Sequence, residues 1–292
     1  MAENKLHWTD KSELLREQLR RWRRTGARIG LVPTMGYLHN GHLALVREAQ
    51  RLSDRVVVTI FVNPLQFGPT DDLARYPRDL EGDRQKLERV GASLVYVPAA
   101  DTLYLPNHCT TVSVADLSKT LEGAHRPDHF VGVATIVAKL FNLIQPDVAI
   151  FGEKDFQQLA VIRCMVRDLN IPVEVIGMPT IRDLDGLAMS SRNSYLSVEE
   201  RSMALSLSRA IRIAQQAATS GERNADRLIE VARYEINSHP TVRIDYIAII
   251  NPMTFEPVDN IEPSSRILLA AWVGKTRLID NDRLLLAQPA GN

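Results

Sequence analysis

The sequence predicts an α/β protein: a doubly wound parallel sheet followed by a smaller α+β domain. Two observations carry this expectation. Up to about residue 180, short apolar, β-rich runs alternate with segments whose apolar residues recur at helical spacing, which is the written form of βαβ units. From Ile181 to Ser197 (IRDLDGLAMSSRNSYLS) that rhythm stops in a stretch of turn formers, and it resumes as two helices and then a run of strands. Length agrees, since 292 residues at roughly 150 per domain make about two domains. The expected division is 1–182 and 183–292.

In the first domain the predicted strands are Arg28 to Val32, Val56 to Val62, Ser93 to Val97, Val148 to Phe151 and Val173 to Ile176. Between them Leu43 to Leu52, Asp79 to Val90, Val133 to Leu143 and Phe156 to Asp168 have helical periodicity. Beyond the turn-rich stretch, Ser197 with Glu200 three residues later reads as a capping box opening a helix to about Thr219. A second helix is expected from Ala225 to about Asn237. Strands of a small sheet follow at Val242 to Ile250, Arg266 to Val273 and Thr276 to Ile279.

Composition narrows the function classes. The chain has 35 Lys+Arg against 35 Asp+Glu, so no net field draws it to nucleic acid or an anionic membrane. Hydrophobic content of 45% and charged content of 24% are ordinary globular values. Apolar runs such as Ile267 to Val273 are far shorter than the roughly 18 residues a membrane span requires. Cys109 and Cys164 have neither metal-ligand nor redox-pair spacing, and the opening MAENKLHWTDKSE mixes both charge signs where a secretory signal is apolar. The expected location is cytoplasmic. Arg16, Arg20, Arg21, Arg23 and Arg24 cluster on an expected helix, as a solvated face or a polyanion site.

The most informative segment is LVPTMGYLHNGHLALV, Leu31 to Val46, where a strand ends at Pro33 and a helix begins near Gly41. In a doubly wound sheet such a junction lies at the carboxyl edge, where ligands bind. His39 and His42 would project from the first helical turn, and Gly41 permits close approach of a ligand to N–H groups suited to phosphate. Two other readings stand beside this polyphosphate cradle: a His that caps the helix, and a metal site on H-x-x-H, for which no third His or Cys completes a zinc set. There is no G-x-G-x-x-G. Gly274-Lys275-Thr276 is not a P-loop, because position 269 is Leu269.

HNGH after a first strand resembles the HIGH motif of nucleotidyl-transferring α/β proteins. More specifically the chain resembles the pantothenate synthetase family, through PTMGYLHNGH (Pro33 to His42), FVNPLQF (Phe61 to Phe67), ARYPRDLEGD (Ala74 to Asp83), LEGAHRPDHFVGV (Leu121 to Val133), FGEKDFQQL (Phe151 to Leu159), GLAMSSRNSYL (Gly186 to Leu196) and AAWVGKTRLIDN (Ala270 to Asn281). The resemblance implies a Rossmann-like first domain, a second domain acting as a lid, and a homodimer. It implies ATP-dependent condensation of (R)-pantoate with β-alanine through an enzyme-bound pantoyl adenylate, giving pantothenate, AMP and diphosphate. The competing classes are another HIGH-motif nucleotidyltransferase or acyl-adenylate-forming enzyme, and a catalytically dead nucleotide-binding protein. An RNA-activating relative would want a basic surface and more sequence.

The residue types suit that chemistry. A carboxylate attacking the α-phosphorus of ATP is already ionised at neutral pH and needs no general base. It needs alignment, with donors and positive charge where diphosphate leaves. By resemblance His39, His42, Lys154 and Arg192 are the catalytic set, with His42 the usual proton donor. ATP contacts are implied for Met35, Gly36, Gly41, Gly152, Glu153, Asp155, Ile181, Met189, Ser190 and Ser191 as well. Gln66 and Gln158 match pantoate ligands, the same resemblance places Asn63 nearby in the pantoate/β-alanine site, and Arg126 either grips the carboxylate of β-alanine or braces its loop. Mg²⁺ is expected to assist diphosphate departure, with Asp83 the metal-side carboxylate. The family often has a second acid just before that residue, where this chain has Gly82.

Overall fold

The computed structural model describes residues 6–69 and 71–285; the outermost parts of both expected domains, 1–5 and 286–292, lie outside the described residues. One compact unit ends at Pro179 and a second begins at Thr180, three residues before the expected division.

The first unit contains β1 (His7–Thr9), α1 (Ser12–Arg24), β2 (Ile29–Thr34), α2 (Asn40–Leu52), β3 (Arg55–Ile60), α3 (Leu80–Val90), β4 (Leu94–Tyr96), α4 (Ala100–Leu103), α5 (Glu122–His125), α6 (His129–Ile144), β5 (Val148–Gly152), α7 (Phe156–Asp168) and β6 (Glu174–Met178). The six strands are parallel, in the order β1-β4-β3-β2-β5-β6. Apolar residues continue along β3 because both faces of a parallel sheet are covered. Val57 joins the core with Leu15, Leu19, Trp22 and Phe141 on one face, whereas Val56 and Val58 join Val46, Ala49 and Leu87 on the other. That two-sided burial is what a doubly wound sheet requires.

From β2 the chain winds outward through β3 and β4, and then β5 returns to the opposite side of β2. The strand order therefore reverses between β2 and β5, the place where a ligand crevice opens at the carboxyl edge of such sheets.

Within α1, Leu15, Leu19 and Trp22 are buried at helical spacing, while Arg16, Arg20, Arg21, Arg23 and Arg24 are exposed. Arg21 pairs with Glu17, and Arg23 donates to the carbonyls of Ile144 and Gln145 at the end of α6. The basic cluster is a solvated face with one helix-terminal contact. Several boundaries differ from expectation, among them β2, which runs to Thr34 rather than Val32, and α2, which starts at Asn40 rather than Leu43. The strand β3 ends at Ile60, because the chain turns there toward a single 3-10 turn at Pro64–Gln66, and α6 starts at His129, four residues before its apolar periodicity begins. The strand β1 was not expected; three residues are too few to show a period.

The second unit packs α8 (Val198–Thr219) and α9 (Ala225–Asn237) on an antiparallel sheet, β7 (Val242–Ile250), β8 (Arg266–Val273) and β9 (Thr276–Arg283). Its core includes Ala204, Leu207, Ile211, Leu228, Ile236, Ile249 and Leu269. Val273 pairs with Thr276, so Gly274 and Lys275 are the two residues of a hairpin turn, with Gly274 at φ 56°. Ser197 Oγ accepts from the Glu200 N–H at 3.1 Å, and Glu200 accepts from the Ser197 N–H at 3.0 Å, which completes the expected capping box. Ser197→Ala is expected to lower the unfolding free energy by about 1 kcal/mol, read from the midpoint of urea denaturation.

Candidate active site

The site in the first unit grows from the loop after β2. Gly36 and Tyr37 both have positive φ, 83° and 50°, and the next N–H groups turn inward. Asp83, a fully buried residue of α3, accepts the N–H of Tyr37 at 2.8 Å and that of Leu38 at 2.6 Å, one on each oxygen. A Cβ at position 36 would lie 2.9 Å from Ile60 Cγ2 and 3.2 Å from Asp83 Oδ2, so only glycine fits between sheet and carboxylate. Burial pushes the Asp83 carboxyl above its usual range, opposed by the two N–H groups and by Lys86. Asp83 therefore anchors the loop after β2, with one backbone N–H on each oxygen. Among the described residues no group of three or more His, Cys, Asp or Glu could hold a metal ion.

Leu38 leads into the histidine pair. His39 is the N-cap of α2: its Nδ1 accepts the Gly41 N–H at 3.1 Å, and His42 Nδ1 accepts the His39 N–H at 3.3 Å. The ring centroids are 4.0 Å apart. Since each Nδ1 is an acceptor, the neutral rings carry their protons on Nε2. Capping and phosphate recognition are thus compatible, because the cap uses one nitrogen of each ring and leaves the other as a donor. His42 is held well below its ordinary pKa by burial first, and then by His39, Lys154 and Lys86. At neutral pH it is an uncharged N–H donor.

Lys154 rises from the neighbouring strand end. β5 pairs with β2, Gly152 ends it, and Glu153–Asp155 form one 3-10 turn before α7. Asp155 occupies the N-cap position of α7 without a side-chain cap bond. In the first turn of α7 the two glutamines divide. Gln157 is buried and bonds to Glu122 N–H and to the carbonyls of Leu117 and Thr120, whereas Gln158 is half-buried with no side-chain hydrogen bond among the described residues.

A third group follows β3. Asn63 is buried as the N-cap of the Pro64–Gln66 turn. Its Nδ2 donates to Gln66 Oε1 at 3.2 Å and to the Gly132 carbonyl at 3.1 Å, and its Oδ1 accepts from Tyr104 Oη at 2.9 Å. Burial pushes the Tyr104 phenol up to about 12, so it stays a donor. Gln66 Nε2 reaches Met35 Sδ at 3.0 Å, linking this turn to the loop after β2. Gly132 lets α6 abut the turn, since a Cβ there would collide with the Leu65 carbonyl.

Arg126 lies against the same turn and contacts Asp71, the Gln66 carbonyl and His129. Burial and the Arg126 charge lower His129 to a pKa of about 4. Tyr104, Asp71 and His129 were not anticipated. His129 stands three residues after Arg126 in a motif that was recognised, so it could have been found; Asp71 is 55 residues from its arginine and could not.

In the second unit Arg182 forks onto Asp280 at 2.6 and 2.9 Å, and Arg201 pairs with Asp183 and Asp185. Ile181 O accepts the Met189 N–H and Arg182 bridges to Ala188, so residues 181–189 form a small hairpin. Ser190 caps a 3-10 turn, Ser191–Tyr195, through its Oγ and the Arg192 N–H at 3.3 Å. The candidate ATP ligands on this loop are therefore carried on an ordered support. His39, His42, Lys154, Asn63, Gln66 and Gln158 all lie in the first unit.

The half-buried imidazoles of His42 and His129 both favour the neutral form, so acid should destabilise the fold. The unfolded chain binds more protons than the folded one between the unfolded His value near 6.5 and the folded value of about 4 at His129. The contribution is whole above pH 6.5 and is lost as pH falls toward 4. Urea denaturation at pH 7 and pH 5 should show a loss on the order of 2 kcal/mol from His129, and a smaller loss in His129→Gln.

A sequence profile described as Pantoate-beta-alanine ligase matches residues 7–283. The pantothenate synthetase of Syntrophotalea carbinolica is 54% identical over 263 residues, covering 90% of this chain and 93% of that protein. The crystal structure of pantothenate synthetase from Thermus thermophilus superposes with a TM-score of 0.92 at 46% identity, over 96% of this chain and 100% of that one. A pantoate-beta-alanine ligase from Francisella tularensis, complexed with beta-gamma ATP and beta-alanine, matches at TM-score 0.80 and 30% identity, over 96% of this chain and 98% of the other. The histidine pair at the switch point of a parallel sheet thus sits in a chain that belongs, by profile, sequence and fold, to the pantoate-beta-alanine ligase family.

Proposed function

We propose that the protein condenses (R)-pantoate with β-alanine at the expense of ATP, through pantoyl adenylate, to give pantothenate, AMP and diphosphate. The observation that carries this reading is the pair of imidazoles whose Nδ1 atoms are spent on backbone N–H groups, leaving the protons on Nε2, with the Lys154 charge felt at His42, where β2 and β5 part. The family and its ATP- and β-alanine-bound member support it.

In the first half-reaction a pantoate carboxylate oxygen bonds to the α-phosphorus, and the bond from that phosphorus to the β-bridging oxygen breaks. His42, His39 and Lys154 answer the charge that grows on departing diphosphate, as preorganised donors that need no rearrangement. Gln66 and Gln158 offer neutral amides to the hydroxyls and carboxylate of pantoate, and Asn63, whose amide hydrogens go to Gln66 Oε1 and the Gly132 carbonyl, holds Gln66 in place beside Met35. In the second half-reaction the free amine of β-alanine attacks the acyl carbon and AMP leaves. Ile181, Met189, Ser190, Ser191 and Arg192 are the ATP contacts of the second domain, which acts as the lid excluding water from the mixed anhydride. Met35, Gly36, Gly41, Gly152, Glu153 and Asp155 complete the nucleotide contacts.

We read Asp83, fully buried with one backbone N–H on each oxygen, as the anchor of the loop after β2 rather than as a resident metal ligand. In this reading Mg²⁺ arrives with the substrate as MgATP, held by phosphate and water oxygens. The same reading includes a homodimer and a cytoplasmic location. Cys109 and Cys164 are free thiols, and no described helix is long and apolar enough to cross a membrane.

Pantoate labelled with ¹⁸O in its carboxylate should transfer one label to AMP, detected by ³¹P NMR; unlabelled AMP, or ADP as product, would reject acyl adenylation. His42→Ala should lower kcat about 10²–10³-fold, the usual loss on removing one transition-state donor, with cooperative thermal unfolding retained. Asp83→Asn should lower kcat while leaving the Mg²⁺ concentration for half-maximal activity within about twofold of wild type. A large shift in that concentration would restore Asp83 to the metal.

A further inference from the structure

The turn that carries Asn63 and Gln66 rests on a charged network. Arg126 Nη2 donates to Asp71 Oδ2 at 2.9 Å and to the Gln66 carbonyl at 3.3 Å, and Nη1 lies 3.3 Å from His129 Nε2. His129 Nδ1 lies 2.8 Å from the same Gln66 carbonyl. One tautomer satisfies every contact: Nδ1–H donates to the carbonyl, and the bare Nε2 accepts from the guanidinium. The lowered pKa of His129 agrees, because a second ring N–H would face the arginine. Asp71 also accepts the Gly68 N–H at 3.0 Å, closing the chain just beyond Gln66. The Arg126 side chain is 16% exposed and the Asp71 side chain 25%, so the pair is largely withdrawn from water, where a lost partner is felt strongly.

Two donors thus converge on one backbone oxygen, that of a residue whose side chain is itself constrained. Gln66 Oε1 is held by Asn63 and Nε2 by Met35, and Asn63 is fixed in turn by Gly132 and Tyr104. Rotation of the Gln66 backbone would swing both amides together. Both terminal nitrogens of Arg126 are thus engaged by protein groups, and its charge is already matched by Asp71.

We propose that Arg126, Asp71 and His129 are positioning residues that fix the Gln66 main chain and so, together with Asn63, aim the Gln66 amide at pantoate, and that Arg126 is not the ligand of the β-alanine carboxylate. The proposal rests on the functional reading above, in which that amide faces pantoate. It assigns the network to the first half-reaction.

Steady-state kinetics on the full chain, varying pantoate and β-alanine separately, test it with Asp71→Asn, Arg126→Ala, Arg126→Lys and the Arg126→Ala/Asp71→Asn double variant. Expected are a rise in the KM for pantoate of about tenfold in Asp71→Asn and Arg126→Ala, a KM for β-alanine within about twofold, and partial rescue in Arg126→Lys. The double variant should be no worse than the more severe single one, since the two residues act as a unit. A selective rise in the KM for β-alanine in Arg126→Ala, with Asp71→Asn silent, overturns the proposal in favour of direct recognition. Equal losses toward both substrates, tracking a lowered Tm, overturn it in favour of a purely structural role. Absence of pantothenate formation by the wild-type chain overturns the functional reading and this assignment with it, a pattern distinct from either variant result.

Discussion

The grip of the Asp83 carboxylate on two backbone N–H groups is the constraint from which the histidine pair follows. Leaving β2, the chain takes two residues with positive φ before α2 can begin, and such a turn buries polar backbone that the sheet cannot satisfy. Asp83 supplies the acceptors from α3, with no exposure to water, so the loop is tied to a helix on the same face of the sheet. His39 then enters α2 as its cap, and the cap dictates which nitrogen of each imidazole carries the proton. Backbone geometry, buried charge and ring tautomer are one chain of cause.

The site separates charge from direction. Neutral donors fixed by backbone contacts, the imidazoles and the amides, occupy the interior of the first unit, while the formal charge comes from Lys154 on an adjacent strand end. Fixed neutral donors keep their orientation at little desolvation cost, whereas a lysine is a compact charge on a long stem that adjusts to its partner. Such an arrangement suits the anion of the proposed reaction, because His42 is already uncharged before that charge moves.

Much of this was legible in the sequence where a short-range rule applies. Val56 to Val58, Val148 to Phe151 and the Ser197–Glu200 box follow from apolar runs and local capping chemistry, and the structure holds them as strands and a cap. The histidine pair was legible as a strand-to-helix junction, though its tautomers required the coordinates of the backbone N–H groups. Contacts between distant residues were not legible. Asp71 meets Arg126 across 55 residues and Arg182 meets Asp280 across 98, and no periodicity records such pairs. Asp83 shows the converse: its motif was visible, but only the fold shows that its oxygens are taken by main chain.

The forked pairing of Arg182 with Asp280 makes the 181–189 hairpin an outgrowth of β9 rather than a free tether. The turn that carries Arg192 follows directly from that hairpin, so its footing is the edge strand of the small sheet and not the loop alone.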